Sequence, residues 1–214
     1  MSLLNRKPLS IGRAERMLRD DRVFVVATDD TYAPKQYFDH LALPRVKVVV
    51  LQTPVDSGLS APVHVVERLK VAFTSVKQRG QIQGGDEFWV LLDTDHYFGT
   101  YTLPETMAAL HTAQQVDFEI AISNPCFELW LLLHHADVAP GTVLSKYADV
   151  EQKLKETLGQ YSKTSIKVGQ FPLVRVPDAI RRARALDTVP NTPWPQQTGT
   201  RVYLLMERVL PPGP

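Results

Sequence analysis

The sequence predicts an α/β fold with a mainly parallel sheet, on two observations. Four short apolar runs alternate with segments of helical periodicity, and the connections between them are long enough for the crossovers that parallel strands require. Two of the runs stop abruptly at acidic residues, TDD at Thr28 to Asp30 and DTD at Asp93 to Asp95. Ligand sites in such folds lie at the carboxyl ends of the strands, so these distant acidic turns are candidate neighbours.

The elements follow in order. RVFVVA, Arg22 to Ala27, is β-branched and apolar and reads as a buried first strand. Pro34 opens a helix whose Tyr37, Phe38 and Leu41 share a face, since proline suits a first turn. VKVVVL, Val46 to Leu51, is a second continuous apolar strand, and TPVDSGLSAP after it has loop composition. From Pro62, Val63, Val66, Phe73 and Val76 recur at helical spacing until Gly80 and a Gly-Gly pair end the pattern. FWVLL is the third strand and delivers Asp93 and Asp95; a third helix runs from Pro104 through Met107 and Leu110; DFEIAIS is the fourth strand.

After NPCFELWLLLHH the pattern is helical through SKYADVEQKLKETLG, around PDAIRRARALD and in RVYLLMERVL, with PNTPWPQQTG as a proline-rich connection. The expected organisation is an α/β core over residues 1–138 and a helical extension over 139–214 packed on it, with PPGP a frayed tail.

Composition sets limits. The 214 residues, 44% hydrophobic, suffice for a substantial core, and 24 Lys plus Arg against 23 Asp plus Glu give no global charge to attract a polyanion. The single cysteine, Cys126, excludes an internal disulfide framework and a Cys-rich zinc site, and its apolar surroundings suggest an inert buried thiol. MSLLNRKPLS lacks the apolar core of a secretory leader, and no segment approaches the roughly 18 apolar residues of a membrane span, so a cytoplasmic location is expected.

Two carboxylates one residue apart just past a strand can converge on a hard cation, since Mg²⁺ is held by one or two carboxylates completed by water and substrate phosphates. Asp93 and Asp95 have that spacing, which a solvated turn shares. Attack of water on a phosphodiester also needs a carboxylate opposite the metal-bearing pair; Asp29 and Asp30 are the nearest candidates, and turn or capping roles would suit them equally. In SNPCFELWLLLHH, Glu128 and His135 are seven apart on one helical face and Trp130 and His134 share another, although a helix-start glutamate favoured by the dipole explains Glu128 as well. Arg181, Arg182 and Arg184 form the outer face of the PDAIRRARALD helix, with Lys163 and Lys167 in the preceding loop; they could track phosphates or be an ordinary solvated face.

Together these segments resemble the RloB-like, AbiLii-like family of restriction-linked and abortive-infection proteins, to which a Toprim-like fold is assigned. The resemblance spans most of the chain and rests on VFVVATDDTYAPKQYF, FWVLLDTDH, ISNPCFELWLLLHH, YSKT at Tyr161 to Thr164, AIRRARAL and TGTRVYLLMERVL, of which the Asn-Pro-x-Phe-Glu-x-Trp segment is the most specific. It implies Mg²⁺ or Mn²⁺ ligands at Asp93 and Asp95, and a nuclease acting on DNA or RNA in antiviral defence beside an ATPase partner. The family usually has Glu-Gly in the first motif, where this chain has Thr28 and Asp29. Asp29 or Asp30 substitutes for that glutamate, Glu128 does the work from its helix, or this member keeps only a binding function.

Overall fold

The structure is a computed structural model that describes residues 21–99 and 101–210. The leader reading of MSLLNRKPLS and the frayed PPGP tail concern residues outside that range. Strands β1 (Arg22–Thr28), β2 (Val46–Leu51), β3 (Glu87–Asp93), β4 (Glu119–Asn124) and β5 (Gly199–Thr200) form one sheet in the order β2-β1-β3-β4-β5. All neighbours are parallel except β4 and β5. The fold is thus α/β with a mainly parallel sheet flanked by helices.

Alternation along the strands makes two cores. Phe24, Val26, Trp89, Leu91 and Ala121 face one layer; Val25, Ala27, Phe88, Val90, Leu92 and Ile122 face the other. The first layer contains α1 (Ala33–His40), α5 (Glu128–Leu132), α6 (Tyr147–Leu158), α7 (Val176–Leu186) and α8 (Val202–Val209). The second contains α2 (Pro62–Gln78) and α4 (Leu103–Gln114), while α3 (Thr94–Tyr97) is one turn beyond β3.

Three sequence expectations shift. β2 is an edge strand whose residues are mostly half-buried, because β1 alone pairs with it among the described residues. In α2 the predicted Val66, Phe73 and Val76 pack into the second core together with Val65 and Leu69, whereas Val63 is 51% exposed, so the apolar face departs from the predicted one at the first turn. The proline-rich connection ends in β5, too short to show a strand pattern, which joins the sheet by pairing Gly199 with Asn124 and Thr200 with Ser123.

Arg201 anchors this last segment. Its guanidinium donates to both oxygens of Asp187, at 2.9 and 3.1 Å, and to the carbonyls of Val189 and Thr192. The Tyr203 hydroxyl also donates to Asp187, at 3.0 Å, so the buried carboxylate is fully engaged. No helix among the described residues is long and apolar enough to cross a membrane.

Candidate metal centre

β1 and β3 are adjacent and parallel, which sets their acidic carboxyl ends side by side. The backbone N–H of Asp93 donates to Asp29 Oδ2 at 3.2 Å. Asp30 Oδ1 accepts from the N–H groups of Tyr32 (2.6 Å) and Ala33 (3.1 Å), holding the start of α1, while its other oxygen meets the Lys163 ammonium. The next turn is fixed across the sheet: the N–H groups of Thr94 and Asp95 both donate to the carbonyl of Pro125, just before α5.

Glu128 begins α5 and is fully buried. Its Oε1 accepts from the Tyr161 hydroxyl at 3.2 Å, and its Oε2 is buried without a hydrogen-bond partner. Asp30, Asp93 and Glu128 each offer a carboxylate oxygen, all within 4.8 Å of one another, and all three residues are buried. Lys163 reaches this group from the loop after α6, with Nζ 2.6 Å from Asp30 Oδ2 and 3.5 Å from Glu128 Oε1. A cleft of about 500 Å³ opens over it, bordered by Asp29, Asp30, Asp93, Asp95, Tyr147 and Lys163.

The electrostatics follow from crowding in a poorly hydrated place. Burial raises the Asp29 carboxyl to about 8, opposed by the Asp93 N–H and assisted by the charge of Asp30. Burial, then Asp29 and Glu128, push Asp93 well above the carboxylate range. Asp95 and Glu128 are raised by burial too, with His96 foremost in opposing the rise at Asp95 and Lys163 at Glu128. Burial alone would lower the Lys163 ammonium, but Glu128 and Asp30 outweigh it and raise its pKa, so the lysine stays charged.

Three buried carboxylates with one unpartnered oxygen form an all-oxygen donor set, which suits Mg²⁺ or Mn²⁺ rather than a softer ion. The residues therefore fit the ion that the resemblance implies, with a different membership from D-x-D alone. Asp93 groups with Asp30 and Glu128, whereas Asp95 borders the cleft, its Oδ1 without a hydrogen bond and 4.0 Å from His96 Nε2. The difference has a local setting: Asp93 ends an extended strand, whereas Asp95 lies in the first turn of α3.

The remaining candidates are placed elsewhere or otherwise. Lys163 is inside the acidic centre rather than on an outer basic face. Arg181 is exposed and 3.4 Å from Asp178; Arg182 is largely covered and donates to Asp137 and to the Leu133 carbonyl, both at 2.8 Å. Neither is among the residues bordering the cleft. Glu128 does not meet His135, because α5 ends at Leu132 and His135 turns to the Gln170 carbonyl at 2.8 Å.

Supporting residues emerge only in three dimensions. Gln36 of α1 donates to the Lys163 carbonyl and accepts from the Ile166 N–H, both at 2.9 Å, and so fixes the lysine-bearing loop. The Thr53 hydroxyl and the Arg68 guanidinium donate to the Thr28 carbonyl, bracing the end of β1. His134 joins α1 to the end of α5: its Nδ1 lies 3.0 Å from the Trp130 carbonyl, which can only accept, so Nε2 is left to accept from the Tyr37 hydroxyl at 3.1 Å.

That arrangement requires a neutral imidazole, and burial lowers His134 from 6.5 to about 4. Between those values the unfolded chain binds a proton that the folded chain refuses, so stability falls as the pH drops from about 6.5 to about 4. The contribution lost approaches about 3 kcal/mol. Urea unfolding of wild type and His134→Gln across this range should show the steeper acid loss in wild type; parallel curves would remove His134 from the account.

The RloB-like protein family model matches residues 24–209. No curated protein and no solved structure shows significant similarity to the chain. A match that begins inside β1, takes in every carboxylate of the centre and Lys163, and ends with α8 covers most of the sequence, and the chain belongs to the RloB-like family.

Proposed function

We propose that the chain is a metal-dependent phosphodiesterase of the Toprim type that cleaves nucleic acid, acting in antiviral defence beside an ATPase partner. The observation that carries this reading is the convergence of Asp30, Asp93 and Glu128, buried, with one Glu128 oxygen unpartnered, beneath an open cleft at the carboxyl ends of parallel strands. Asp30, Asp93 and Glu128 hold Mg²⁺ or Mn²⁺, and the bound ion supplies Lewis-acid stabilisation of phosphoryl charge and an activated water. Asp29 accepts a proton from the attacking water, a role supported by its position at the cleft beside Asp93 and outside that trio. Asp95 lies at the rim, where it can orient water or a second ion. Arg181, exposed on α7, is available to a phosphate backbone, whereas Arg182 is committed to Asp137 and Leu133.

A second reading, a binding module without cleavage, is favoured by one observation: Lys163 already compensates part of the charge that an ion would neutralise. The test is an assay of the purified chain with Mg²⁺, Mn²⁺ or EDTA on single- and double-stranded DNA and RNA, paired with thermal melts. Cleavage and a raised melting temperature with metal support the enzyme. A raised melting temperature without cleavage supports the binding module; neither response removes the metal centre.

A further inference from the structure

The centre is already occupied by a cation of the chain's own. Asp30 and Glu128 lie on different elements, and between them stands the Lys163 ammonium, at 2.6 and 3.5 Å from their oxygens. We propose that Lys163 is the resident counter-ion of the metal-free centre, and that a divalent ion loads by exchange, displacing the ammonium toward the cleft. The proposal rests on the metal-centre reading above and adds the mechanism by which that centre is kept closed.

The surroundings fit a side chain that moves on a fixed backbone. Gln36 ties the Lys163 carbonyl and the Ile166 N–H to α1, so the loop backbone is held by bonds that do not involve the lysine side chain. The lysine side chain is 31% exposed, whereas those of Asp30 and Glu128 are 2% and 0%, so its way out leads into the cleft. The Tyr147 ring lies 4.9 Å from Nζ and offers an aromatic face on that side. The exchange also follows from charge. Without a cation the three carboxylates repel one another, and with both Lys163 and a divalent ion at the same oxygens the two cations do. With the ammonium 2.6 Å from Asp30 Oδ2, a divalent ion held by the same carboxylate would stand close to it, and the repulsion between the two cations favours exchange.

The experiment measures Mn²⁺ affinity by calorimetry for wild type, Lys163→Met, Lys163→Arg and Gln36→Ala, and follows labelling of Lys163 by an amine-reactive reagent through peptide mass spectrometry. Lys163→Met should bind Mn²⁺ about tenfold more tightly or better, since it removes a charge from the coordination space. Lys163→Arg should stay near wild type, and Gln36→Ala, which loosens the loop but keeps the charge, should lie between. In wild type, Mn²⁺ should increase Lys163 labelling, and Asp93→Asn should abolish that increase. Should Lys163→Met fail to fold, the wild-type labelling and Gln36→Ala still decide the matter. Mn²⁺ binding with unchanged Lys163 labelling, or with equal or weaker affinity in Lys163→Met, overturns the exchange and leaves the metal centre standing. Absence of Mn²⁺ binding in every chain overturns both.

Discussion

Asp93→Asn is expected to eliminate metal-dependent cleavage while leaving the fold intact. Asp93 is the last residue of β3 and belongs to the buried trio, so the substitution removes an anionic ligand at nearly unchanged volume. Even residues that merely support a ligand cost roughly 10–100-fold when lost, and loss of the ligand itself should exceed that. Without metal the variant should be as stable as wild type or more so near neutral pH. The sign follows from the raised Asp93 pKa: the folded state prefers the protonated carboxyl, so a charged Asp93 costs stability as the pH rises above the ordinary carboxylate range. In acid, where both states are protonated, the advantage of Asn should vanish. Melts at pH 7.5 and in acid, with and without Mn²⁺, alongside the nuclease assay, measure this. Full activity in the variant would dismiss the trio as the metal site. Asp95→Asn, at the rim, should lose less.

The largest loss of stability is expected from Arg201→Met. Arg201 and Asp187 form a bidentate pair, their side chains only 8% and 2% exposed. Removing the arginine leaves a carboxylate buried with the Tyr203 hydroxyl as its remaining hydrogen-bond donor from this group, a change that costs about 3–5 kcal/mol. For a chain of this length that lowers the melting temperature by roughly 10 °C. Adding Asp187→Asn to the same chain should recover part of the loss, because the stranded charge rather than the missing bond carries most of the penalty. A loss below about 1 kcal/mol in calorimetry would mean that the segment reorganises and Asp187 reaches water.

The alternation of apolar runs with helical patterns made the sheet legible, and the acidic residues at the ends of β1 and β3 made one edge of the site legible with it. The division of labour among the carboxylates was not. Periodicity gives the face of a strand but not the direction of a side chain one residue past its end, so Asp95 appeared equivalent to Asp93. Glu128 was drawn into the site by the resemblance alone, since a helix-start role explained it as well and nothing local reveals that Tyr161 and Lys163 close over it. Lys163 read as part of a basic face since its neighbours in sequence are loop residues, whereas its partners lie on α5 and before α1. Gln36 carried no signal at all: an isolated glutamine on a helix declares no partner until the loop arrives. β5 was hidden by its length, since two residues cannot display a period.

The acidic centre draws its parts from the ends of β1 and β3, the start of α5 and the loop after α6. None of these is a neighbour of another along the chain, so the proposed ligand set comes together only after the parallel strands have docked, too late for an ion to template an early stage of folding. On the proposed reading, a bound metal would therefore act on the back reaction, slowing escape from the native state far more than it hastens arrival there. During synthesis the same geometry imposes an order. Asp30 and Asp93 emerge before Glu128, and Lys163 follows last of the four, so the cation that belongs to the chain arrives with the final piece of the centre rather than after it.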